Sequence, residues 1–314
     1  MKNKLDLKQI MLKYGTIIVL LAMCLIMSII SPNFLKSRNI LNILKQISIY
    51  VIIGYGVTFI IITGGIDLSS GMLVAVSSMI VGSLVIRAGM PWPIACVITL
   101  VAGAVVGAFN GFLVAFFHLP AFLATLGTKL ALKGTALFIS DKPINGFSDS
   151  FKFLGQGNLL GVPMLIYIML VVAIVSHYLL AHTKFGRYTY AIGGNKEAAR
   201  VSGINIEKVT IMVYSYASTL AALAGILLTS RIMTASPING EGFEMEAITG
   251  AAIGGISMSG GVGTIWGTLV GALIAGVLNN GLDLMLVGAY AQQIFKGFII
   301  LAAVILDQYR SKHR

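Results

Sequence analysis

The sequence predicts an all-α polytopic membrane protein of about ten transmembrane helices, with both termini in the cytoplasm. Three observations lead there. The chain has 314 residues, of which 57% are apolar and only 11% charged, and its mean hydropathy is +0.92; soluble domains hold about 25% charged residues. Apolar runs recur along the chain, each near the roughly 20 residues that cross a bilayer. The 22 Lys and Arg then sort by side of the membrane. Nucleic acid would suit a net charge of +11, but basic residues gathered on one membrane face account for it, and no nucleic-acid partner is expected.

In order, the expected spans lie near 14–30, 43–62, 68–86, 92–117, 121–140, 162–182, 208–230, 246–260, 264–287 and 292–308. The first follows a basic start and is longer than a signal-peptide core. No small-x-small cleavage site follows it, so it reads as a retained span. Segments 64–71 and 246–263 are rich in glycine, which leaves open a count of eight or nine with re-entrant or broken helices. Cys24 and Cys96 both fall inside apolar runs and make no disulfide framework. Gly103, Gly107 and Gly111 are spaced by four, as are Gly267 and Gly271, a spacing that lets helix backbones approach closely in lipid. GAVVGAFNG (103–111) is similar to GALIAGVLNNG (271–281), in spans four and nine. An offset of five spans reverses direction, as an inverted internal repeat requires. GGIDLSSG (64–71) and GGISMSGG (254–261) also match, but at another offset.

Ten spans put the termini and the stretch 184–208 on one face. That face holds Lys2, Lys4, Lys8, Lys13, Lys184, Arg187, Lys196, Arg200, Lys208, Arg310, Lys312 and Arg314. The opposite face holds Lys36, Arg38, Arg87, Lys142, Lys152 and Arg231, with the acids Asp141, Asp149, Glu241, Glu244 and Glu246. Lys45, Lys129, Lys133 and Lys296 are expected near span ends, where they snorkel. The positive-inside rule makes the first face cytoplasmic.

The longest polar run is KFGRYTYAIGGNKEAARVSGINIEK, 184–208. Within it Asn195 suits a helix cap, Lys196 to Ser202 a short helix, and Gly203 a left-handed end. So short a helix does not stand alone in water. The residues leave two readings: a solvated loop, or an element that docks on a partner.

No phosphate loop, H-E-x-x-H, cysteine pair at metal spacing or G-x-S-x-G elbow is present. His118, His177, His182 and His313 are scattered and read as interfacial. No catalytic residue, metal or cofactor is expected. Asp67 and Asp283 are the only acids expected within or at the edge of spans, where charge is costly and usually functional. For Asp67, capping of the helix after Gly64 and Gly65, by itself or by Ser69, stands beside a pathway role. Asp283 reads as interfacial. A transporter with so few buried acids needs an external motor.

Several motifs resemble one family. GRYTYAIGGNKEAARVSGI (186–204) is similar to the cytoplasmic coupling loop of sugar-type ABC importer permeases of the ribose, xylose and galactose branch. S-P-N-F (31–34), T-G-G-I-D-L-S-S-G (63–71) and L-P-A-F-L-A-T-L-G-T (119–128) resemble motifs of that branch. So do G-x-G-F-E-M-E-A-I (240–248), G-G-I-S-M-S-G-G-x-G (254–263) and G-x-L-x-G-A-L-I-x-G-x-L-N-N-G-L (267–282). The resemblance runs from about residue 30 to 308 and is closest to ribose permeases. Ser70 and Met258 depart from it, where many relatives carry valine and leucine.

The resemblance implies a single transmembrane permease domain over 1–314, in the inner membrane of a bacterium and surrounded by lipid. Its partners would be a second permease copy, a cytoplasmic ATP-binding subunit and an extracytoplasmic sugar-binding protein. ATPase coupling then falls to Gly193, Gly194, Asn195, Lys196, Glu197, Ala198, Ala199, Arg200 and Gly203. The expected translocation path holds Asp67, Ser69, Asn110, Asn279 and Asn280. An ion-coupled secondary sugar carrier and a non-transporting membrane scaffold are the competing readings.

Overall fold

The computed structural model describes residues 7–288, 290–295, 297, 298, 301 and 305. Lys2, Lys4, Lys296 with most of the expected span 292–308, and Arg310, Lys312, His313 and Arg314 lie outside the described residues.

The described chain is helical, with two minimal β-ribbons. Its helices are α1 Leu7–Ile30, α2 Ser37–Ile62, α3 Ser70–Gly82, α4 Trp92–Phe116, α5 Ala121–Ile139, α6 Asp149–Gln156, α7 Met164–His182, α8 Lys184–Gly194, α9 Lys196–Val201, α10 Ile206–Ile232, α11 Phe243–Ile253 and α12 Ile265–Leu284. A π turn, Ser83–Arg87, continues α3. The ribbons pair β1 Ile144–Asn145 with β4 Thr234–Ala235, and β2 Asn158–Leu159 with β3 Val162–Pro163. Among the described residues seven helices are long and apolar enough to cross a membrane: α2, α3 with its π turn, α4, α5, α7, α10 and α12. The apolar part of α1, Gly15–Ile30, is shorter. Pro91, Pro120 and Pro163 stand at the entries of α4, α5 and α7, where a missing N–H costs nothing because the first turn has no acceptor for it.

The core gathers around α2 and α10. Ile52, Ile53, Ile60 and Ile61 of α2 are fully buried against Val213, Ala217 and Leu227 of α10 and Leu165 and Met169 of α7. A second cluster joins α3 to Phe147, Phe151 and Ala235. Close approach supplies the rest. On α4, Gly103 faces Ala222 and Ser218, Gly107 faces Tyr214 and Ser218, and Gly111 faces Ile211, all on α10. In lipid, where apolar burial drives little association, such contacts of small residues hold helices together. The second expected stripe, Gly267 and Gly271, packs against Gly254 and Gly250 at the end of α11.

Three expectations change. The run 246–260 is not one span: α11 stops at Ile253, and the glycine-rich chain leaves the helix from 254 to 264. Together with the non-helical residues 63–69, this is the broken-helix alternative. Lys129 and Lys133 are not at span ends but inside α5. Glu244 is not on an outer face: it is 1% exposed, because the loop before α11 folds back along α3. Asn239 marks that course, its amide donating to Ser78 Oγ at 3.0 Å.

Candidate functional site

The polar run 184–208 folds into a helical hairpin of small parts. Thr183 accepts from the Gly186 amide at 3.3 Å and starts α8. Asn195 interrupts the helix in an extended conformation, and its side chain accepts from the Ala198 amide at 2.9 Å. After α9, Gly203 turns with φ +81° and its N–H donates to the Arg200 carbonyl, while Ile204 N–H donates to Ala199 O. That is the expected cap, short helix and left-handed end. Lys196, Glu197, Ala198 and Arg200 are exposed, as are Gly194 and Asn195. Gly193 and Ala199 turn inward instead. Val201 is 88% exposed; an apolar side chain so open at the end of a short helix belongs with the exposed set, although it falls in the gap between Arg200 and Gly203 of the expected residues. Glu197 and Arg200 form an exposed pair at 3.4 Å, and Arg200 also approaches Glu207 at 3.9 Å.

The expected polar run thus conceals a second helix, α8, that binds the bundle. Phe185 stacks on Phe59 of α2. Tyr190 donates its hydroxyl proton to the Gly263 carbonyl at 2.6 Å. Gly193 lies against the Ile62 carbonyl, and any β-carbon there would collide with it. Gly261 N–H donates to that same carbonyl at 2.8 Å. Both helix breaks, 63–69 and 254–264, therefore meet beneath α8.

Within the first break lies a buried polar chain. One oxygen of Asp67 accepts from the Ser69 N–H at 2.7 Å and the Ser69 hydroxyl at 2.6 Å. Asn110 of α4 donates to Ser69 Oγ at 3.0 Å and accepts from Thr128 of α5 at 2.6 Å. Ser69 makes no side-chain cap to α3; Asp67 accepts the Ser69 N–H at the entry of that helix, and the network ties this entry to α4 and α5. Thr125 holds the break to α5 by accepting from Leu68 N–H at 3.1 Å. Among the described residues, the second Asp67 oxygen, Ser70 Oγ and the Tyr214 hydroxyl are buried without a hydrogen-bond partner.

Asp67, Ser69 and Asn110 are thus brought together, and Asn279 and Asn280 are not. Asn280 and Asn39 exchange reciprocal amide bonds at 2.9 Å each, joining α12 to the start of α2. Asn279 lines a narrow cleft with Tyr50, Gly54 and Thr268. Asp283 accepts from Gln292 at 2.8 Å. Glu244, missed in the sequence, pairs with Lys129, and its other oxygen lies against Gly71, where there is no room for a β-carbon. One turn further along α5, Lys133 pairs with Glu241 at 2.8 Å.

A family model described as "Branched-chain amino acid transport system / permease component" matches residues 39–304. The chain is 42% identical to the ribose import permease protein RbsC of Bacillus subtilis, over 99% of this chain and 97% of the relative. It is 44% identical to the RbsC of Escherichia coli, over 95% and 94%. With the D-allose transport system permease protein AlsC of Escherichia coli it shares 39% identity over 96% and 93%. No solved structure matches it.

Proposed function

The chain belongs to the sugar-type branch of the ABC importer permease family, and on that footing we propose that it is the membrane subunit of an ATP-driven importer of a monosaccharide, with ribose the first candidate. The observation that carries this is full-length similarity to relatives named for ribose and D-allose import. The permease works as a pair in the inner membrane, with the polar run 184–208 in the cytoplasm. An extracytoplasmic binding protein delivers the sugar, and a cytoplasmic ATPase supplies the energy.

In this reading α9 is the part that enters the ATPase. Gly194, Asn195, Lys196, Glu197, Ala198 and Arg200 present its outer surface, while Gly193, Ala199 and Gly203 set its position. ATP binding closes the ATPase, α9 moves with it, and α8 carries the motion to the two helix breaks. A bundle with two packings then shifts from outward-open to inward-open. Asp67, Ser69 and Asn110 stand beside the route, and Asn279 beside the cleft between α2 and α12. Asn280 has a second role, as a joint between helices.

Buried Asp67 and Glu244 favour one rival, an ion-coupled carrier, since intramembrane acids serve ion pathways. Reconstitution with the ATPase and binding protein separates the two. ATP-dependent pentose uptake that ignores an uncoupler is expected. Uptake by the permease alone, abolished by the uncoupler, would replace the importer with the carrier. No uptake from the complete set would leave a scaffold.

A further inference from the structure

The hydrogen bonds of α5 form a polar track along one side of an otherwise apolar helix. Thr125 meets Leu68, Thr128 meets Asn110, Lys129 meets Glu244, and Lys133 meets Glu241. At about 1.5 Å per residue, Lys129 and Lys133 lie roughly 12 and 18 Å along α5, with some 9 Å of helix still to come. They are therefore at membrane depth. Yet Lys133 is 45% exposed and Glu241 47%. An ion pair so open does not face hydrocarbon, where irregular backbone and charge are tolerated only against protein or a water-filled cavity. The loop bearing Glu241 is also non-helical.

We propose that Lys129, Lys133 and Glu241 line the solute route, with Glu244 buried behind Lys129, and make transient hydrogen bonds to a neutral, polyhydroxylated solute. This deepens the transport reading above and rests on it. Two positive and two negative groups alternate across the track, so a passing ion meets both signs, whereas a neutral polyol meets donors and acceptors together. The Glu241 carboxylate accepts from adjacent hydroxyls, and each ammonium donates to a hydroxyl or ring oxygen. Glu244 is buried at the inner end of the track, one oxygen packed against Gly71, and holds Lys129 in place. There the track meets the Asp67, Ser69 and Asn110 network, which continues it.

The test uses the whole importer in proteoliposomes, with a permease carrying Cys24→Ser and Cys96→Ser. Lys133→Cys, and separately Glu241→Cys, are treated with a charged, water-soluble methanethiosulfonate reagent. Val171→Cys on α7, exposed at comparable depth, is the control. The proposal expects the first two to react at least tenfold faster than the control. It also expects pentose supplied with ATP and binding protein to slow that reaction severalfold. Reactivity at both positions equal to that of Val171→Cys overturns it, as does rapid reaction that pentose leaves unchanged. ATP-driven uptake by the Cys-free parent is measured in the same vesicles. Its absence strikes the transport reading; its presence with unreactive track positions strikes only the track.

Discussion

The Tyr190 hydroxyl bonds to the Gly263 carbonyl, and three residues later Gly193 rests on the carbonyl of Ile62. One short helix thus touches the edges of both breaks in the bundle. Tyr190→Phe removes one hydrogen bond, about 0.5–1.5 kcal/mol, without changing packing. The expected outcome is normal recovery of the ATPase and normal ATP hydrolysis, with pentose moved per ATP lowered severalfold. An unchanged ratio of uptake to hydrolysis would show that this contact transmits nothing.

The exposed Glu197–Arg200 pair adds only about 0–1 kcal/mol to folding. A reversed charge pressed into a desolvated interface costs roughly 2–5 kcal/mol. Glu197→Arg should therefore leave the permease inserted and in normal amount, yet release the ATPase during co-purification and abolish uptake. Gly203→Val should do the same, since φ +81° is strained for a β-branched residue. Full ATPase recovery from both variants would return 184–208 to the status of a solvated loop.

Sidedness follows from the basic residues. In a Cys-free background, cysteine at Asn145, exposed beside β4, should react with an impermeant thiol reagent on intact cells. Cysteine at Lys196 should react only after the cells are opened. The opposite pattern would invert the topology.

Helix contacts through glycine predict a stability defect apart from function. Gly107 faces the Tyr214 carbonyl and the Ser218 side chain with no space between. Gly107→Leu should cost at least the 1–3 kcal/mol typical of overpacking, seen as a lower thermal midpoint of the detergent-solubilised protein. An unchanged midpoint would mean that α4 and α10 separate freely.

Local signals in the sequence were reliable. Asn195, the short helix after it and Gly203 were legible because caps and left-handed ends depend on residues a few positions apart. The apolar runs marked the long helices for the same reason. What escaped depends on partners far along the chain. Glu244 looked external because it follows a loop, but that loop folds back along α3, and the partner lysine is 115 residues away. α8 read as loop because its glycines and charges hid a helix whose stability comes from Phe59, Ile62 and Gly263. The joint that Asn280 makes was not legible either, since nothing local announces Asn39 as its mate.

That amide pair constrains how the bundle is able to move. Each asparagine offers one donor and one acceptor to the other, so a slide of α12 by a single residue would break both bonds at once. Gly281, the next residue, sits against the Met27 side chain of α1, a second contact that such a slide would disturb. The three helices are keyed together at this end like leaves on a pin. A change of shape that keeps this pair intact pivots about that point, with the far ends of α2 and α12, where Ile62 and Ile265 border the glycine breaks, free to move most.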